Sequence, residues 1–93
     1  MVALEVLCRF LSAIEEDPRI GTAHIALYLR IWKLWMDCDC AEPLVIFGHA
    51  LIGVCKISSY STYHKTLKDL CLFGYLRYEP SFNRFAGSRI FLH

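Results

Sequence analysis

At Gly74 the hydropathy period of the chain changes. Upstream, Tyr63 is followed by Leu67, Leu70 and Cys71 at +4, +7 and +8, the spacing of one apolar helix face. Downstream, Tyr75, Arg77 and Glu79 alternate with Leu76 and Tyr78 in the period of two that a half-buried strand requires, until Pro80 stops it. A glycine just past a helix supplies the left-handed residue that ends it. A helix of residues 61–73, capped by Ser61 and running straight into a strand, leaves few architectures open to 93 residues.

The flanking segments narrow the choice. Residues 88–92 form a second strand, with Arg89 and Phe91 on one side and Ile90 and Leu92 on the other. Residues 81–87, containing Asn83, Arg84 and Gly87, make the long tip of a hairpin. Before the helix lie a short β-rich run at 44–47, a two-turn helix at 48–55 and a polar turn at 56–60.

Two longer helices come first. In residues 2–16 the polar side chains Glu5, Arg9, Ser12 and Glu16 fall on one narrow stripe, with Glu5 and Arg9 in the favourable acid-first order. The remaining arc, about 240°, is apolar. Asp17-Pro18 ends this helix, because a residue before proline resists the helical conformation. Thr22 is the expected N-cap of a second helix over 23–37. Arg30, Lys33 and Asp37 form its polar sector, and an apolar arc of about 220° holds Ile25, Tyr28, Trp32, Trp35 and Met36. Two arcs this wide are covered either by a homodimer through the N-terminal helices, residues 1–38, or by a deeply central second helix.

With 56% hydrophobic and 20% charged residues the chain buries a core, so disorder is excluded and one domain over residues 1–93 is expected. The longest run without a formal charge, residues 43–55, falls short of the roughly 20 a spanning helix needs. Glu5 and Arg9 interrupt the place where a signal peptide would be apolar. A soluble, cytoplasmic chain without a membrane partner is therefore expected. Five cysteines are an odd count, and Cys38-Asp39-Cys40 has no second pair at zinc spacing; no metal and no cofactor are expected. A thiol enzyme would pair Cys71 or Cys55 with His49 or His64. Cys71 falls on the inward face and no Gly-rich loop or paired carboxylate accompanies either, so no catalytic residues are assigned.

Charge is divided unevenly. Residues 1–55 carry four bases and seven acids, a balance of −3; residues 56–93 carry six bases and two acids, a balance of +4. A basic C-terminal half suits a polyanion. The order short helix, turn, helix, hairpin is that of a winged helix-turn-helix, mainly α with a small β-hairpin (α+β), with the helix-turn-helix at 44–74 and the wing at 75–93. Opposite the Tyr63 face lie Ser61, Lys65, Lys68 and Leu72, flanked by Thr62, His64 and Asp69. Hydroxyls, a histidine and lysines near a helix start suit base edges and phosphates.

Residues 61–70 (STYHKTLKDL), 73–81 (FGYLRYEPS) and 87–91 (GSRIF) resemble a family of small bacterial winged-helix proteins, often encoded on mobile or conjugative elements and presumed to bind DNA. The resemblance implies a double-stranded DNA partner, a recognition helix presenting Ser61, Thr62, His64, Lys65 and Lys68, and a wing presenting Asn83, Arg84, Ser88 and Arg89. Two departures stand out. Leu72 occupies a position that is usually polar, and Phe47-Gly48-His49 replaces the hydroxyl cap and base that usually open the preceding helix.

The functions in competition are a DNA-binding regulator or accessory factor of a mobile element, and a winged-helix protein-interaction module without DNA binding. The wide apolar arcs and Leu72 favour the second. About 55 residues before the recognition unit leave little room for a ligand pocket.

Overall fold

A computed structural model describes residues 2–46, 59–79 and 87–92. Among them are three helices, α1 (Val2–Ile14), α2 (Thr22–Asp37) and α3 (Tyr60–Leu72), and three strands, β1 (Leu44–Ile46), β2 (Arg77–Glu79) and β3 (Ser88–Phe91). The fold is mainly helical with a small antiparallel sheet, an α+β arrangement. The expected helix at 48–55 and the hairpin tip lie outside the described residues.

α2 is the central element. Leu27, Tyr28, Ile31 and Trp35 are buried along it, and it packs against both α1 and α3. Much of its apolar arc is thus covered within one chain, although Ile25, Trp32 and Met36 are only half-buried and Leu29 is exposed. α1 contributes Ala3, Val6 and Phe10 to the same core, and the Trp32 indole N–H donates to the Ala3 carbonyl at 2.7 Å. Phe10 stacks on Tyr28 with ring centroids 3.6 Å apart, while Tyr75 meets Phe10 edge-on at 5.3 Å. α1 leaves Val2, Leu4 and Leu11 exposed.

α1 stops at Ile14, earlier than expected, and closes through a turn in which the Asp17 N–H donates to the Ile14 carbonyl. Glu5 and Arg9 do not pair with each other despite their favourable order, so local spacing did not decide the rotamer. Gly21, rather than Thr22, caps α2. Its N–H donates to His24 Nδ1 at 2.9 Å, so His24 fills the place a Glu or Gln takes in a capping box.

The hairpin has a third strand. β3 lies between β1 and β2, and both pairings are antiparallel. Leu44 and Tyr78 both register with Ile90, and Leu44 and Ile90 are buried on the core face. On the outer face Val45, Arg89 and Glu79 form the next row. Adding β1 satisfies the free edge of β3 and brings Leu44 onto the core. Among the described residues, no helix is long and apolar enough to cross a membrane.

Candidate nucleic-acid interface

α3 begins at Ser59, whose backbone is extended and whose hydroxyl oxygen accepts the Thr62 N–H at 3.2 Å. The cap is therefore Ser59, two residues before the Ser61 expected from the pattern. Several hydroxyl residues compete for that role here, and the Ser59 oxygen is the one that reaches a free N–H of the first turn. Tyr63, Thr66, Leu67 and Leu70 are buried. The Thr66 hydroxyl donates to the Thr62 carbonyl at 2.7 Å, which removes its need for a solvent partner.

The helix ends as Gly74 requires. With φ at +87°, Gly74 lets its own N–H reach the Cys71 carbonyl at 3.1 Å, and the Tyr75 N–H reaches Leu70 at 2.9 Å. These two bonds are the Schellman pattern. The chain then turns directly into β2 through buried Leu76.

Ser61, Thr62, His64, Lys65 and Lys68 are all exposed on the face away from the core. Lys65, with a side chain 77% exposed, donates to Asp69 Oδ2 at 3.0 Å. Lys68 forms no ion pair among the described residues. The His64 ring lies edge-on to Tyr63, with centroids 5.1 Å apart. Leu72 is 81% exposed, an apolar side chain at the far end of the same helix.

Asp69, on the outer flank of α3 by its spacing, ties that helix to α2. Its Oδ2 also accepts from His24 Nε2 on α2 at 2.9 Å. Because Nδ1 of that ring accepts from Gly21, the neutral tautomer with its proton on Nε2 satisfies both contacts. The bonds from His24 and then Lys65 hold the Asp69 carboxyl below its ordinary value. The available signal was a histidine three residues after a glycine cap, in the place where Glu or Gln is usual.

A second clasp holds the end of α3 to the turn between α1 and α2. Asp17 takes a bidentate bond from Arg19, at 2.8 Å to each oxygen, and accepts from the Tyr75 hydroxyl. Arg19 in turn lies 4.0 Å above the Phe73 ring. The Arg19 guanidinium, then Tyr75, hold the Asp17 carboxyl well below the usual carboxylate range.

Of the residues expected in the wing, Arg89 is exposed on β3 beside Glu79, with Nε 3.4 Å from the carboxylate. Arg77 lies 4.0 Å over the Phe91 ring on the same sheet face. Ser88 registers opposite Ile46; Asn83 and Arg84 lie outside the described residues. Cys71 is half-buried, and burial pushes its thiol up, the direction that disfavours a thiolate. Among the described residues no cluster of His, Cys, Asp or Glu is arranged to hold a metal ion.

In comparisons with known proteins, no family model, curated protein or solved structure matches the chain.

Proposed function

We propose that this chain is a DNA-binding winged-helix protein, a transcriptional regulator or an accessory factor of a mobile element. The observation that carries the reading is the outward face of α3, where Ser61, Thr62, His64, Lys65 and Lys68 are exposed together at the start and middle of one helix. Lys65 and Lys68 neutralise phosphates, while Ser61 and Thr62 meet base edges in the major groove. The Lys65–Asp69 pair is no obstacle. An exposed i,i+4 pair is worth about 0.3–0.5 kcal/mol, less than a phosphate contact returns. Arg89, with the expected wing residues Asn83, Arg84 and Ser88, serves the adjacent backbone, and a homodimer through Leu4 and Leu11 of α1 would pair two half-sites.

The test is binding to duplexes selected from a random pool, measured across salt concentration. With about four phosphates neutralised, log K against log salt falls with a slope near −3.6. The double change Lys65→Ala, Lys68→Ala lowers the magnitude of that slope by about 2 and weakens all sequences alike. A signal indifferent to salt, or to the double change, rejects the reading.

Leu72 favours a second reading, a winged helix used for protein interaction. A leucine 81% exposed on the α3 surface fits an apolar partner better than a phosphate backbone. Under that reading the double lysine change leaves association intact, and Leu72→Ser abolishes it.

A further inference from the structure

Although the sequence suggested little room for a pocket, α1, α2 and the turn after α3 enclose an open cleft of about 260 Å³. Val6, Phe10, Tyr75 and Leu92 supply apolar walls, and Arg9 and Tyr28 supply its polar groups. Both of those groups lack the partners expected of them. Arg9 forms no ion pair among the described residues, although Glu5 precedes it by one helical turn. Tyr28 is only 2% exposed, and its hydroxyl has no hydrogen-bond partner among the described residues. Among the described residues the polar side-chain atom sealed from solvent without a partner is Trp35 Nε1, not this hydroxyl.

We propose that this cleft binds a small organic monocarboxylate with an apolar body of about one ring, its carboxylate held between the Arg9 guanidinium and the Tyr28 hydroxyl. The two groups already sense each other, since the charge on Arg9 acts on the phenol. Arg9 is exposed and supplies the positive charge at the mouth. Burial pushes the Tyr28 hydroxyl up to about 12, so it remains a donor at any physiological pH. The Phe10–Tyr28 stack and the Tyr75 edge offer aromatic surface to a flat apolar body. The volume, just under the usual range for drug-sized ligands, limits the guest to a small one. A divalent or cationic guest does not fit one guanidinium and one phenol. This site is independent of the DNA-binding reading, and its test involves no nucleic acid.

The experiment is a titration of the full chain with benzoate, with benzyl alcohol and benzylamine as neutral and cationic counterparts, followed by calorimetry and by shifts of the Ala13 methyl signal at the cleft. Saturable benzoate binding is expected, with benzyl alcohol weaker by about tenfold and benzylamine silent. Arg9→Gln weakens benzoate by about tenfold and Tyr28→Phe by about three- to tenfold. Arg9→Gln alters an exposed side chain and keeps the test valid if Tyr28→Phe fails to fold. Absence of saturable binding overturns the proposal. So does benzoate binding that Arg9→Gln leaves unchanged, or equal binding of benzyl alcohol.

Discussion

His24 on α2 and Asp69 on α3 stand 45 positions apart in the chain and meet at 2.9 Å. The same imidazole accepts the Gly21 N–H, so one side chain both starts α2 and fixes it to α3. His24→Ala loses both bonds and is expected to cost about 1–2 kcal/mol in denaturant unfolding. His24→Gln, a usual capping-box residue, should recover about half of that by restoring the cap. Equal losses in the two variants would assign the whole effect to Asp69.

Acid sensitivity should trace to two carboxylates. Asp17 and Asp69 both have folded-state values below the ordinary 3.8, the first through Arg19 and the second through His24. Each therefore contributes stability that is fully present above the ordinary value and is lost as pH falls below it towards the folded one. Thermal melts from pH 6 down to about 2 should show a steep acid limb. Asp17→Asn with Asp69→Asn should flatten it, while lowering the melting temperature at neutral pH.

Two left-handed residues should respond in opposite directions. Asp39 follows the end of α2 with φ at +56°, and its N–H and that of Cys40 close the helix onto Met36 and Trp35. Asp39→Gly removes the backbone cost and should stabilise by about 0.5–1 kcal/mol. Gly74→Ala should destabilise by about 1–2 kcal/mol, although an added Cβ would meet nothing within 4 Å, because φ is +87°. Chemical denaturation midpoints at constant slope would check both.

Thiol labelling should sort the cysteines by environment. Cys8 and Cys38 are exposed and should react with a soluble disulfide reagent at rates near that of a free thiol. Cys71, half-buried and shifted upward, should lag until the protein unfolds. A Cys71 that reacts faster than a free thiol would point to an activated nucleophile instead.

What could be read from sequence was local. Tyr63, Leu67 and Leu70 repeat at helical spacing, and Gly74 ends the repeat, so both the inward face and its terminus were legible. The exposed position of Leu72 followed from the same wheel. Pairings between distant segments were not legible. Nothing in the period of residues 44–46 specifies Ile90 as the neighbour of Leu44, and nothing near Asp69 names His24. Caps slipped by one or two residues, from Thr22 to Gly21 and from Ser61 to Ser59, because neighbouring residues offer equivalent chemistry. The cleft beside Arg9 escaped because its walls come from four separate segments, and no single one announces a cavity.

The placement of β3 between two strands made before it has a kinetic meaning. Among the described residues β1 and β2 do not pair with each other, and each takes its ladder from residues 88–91. Assembly of these three strands is therefore gated by β3, which must close a loop back to residue 44. Until then β1 and β2 lack the strand that pairs with them here, so a product stalled before residue 88 is expected to be prone to aggregate.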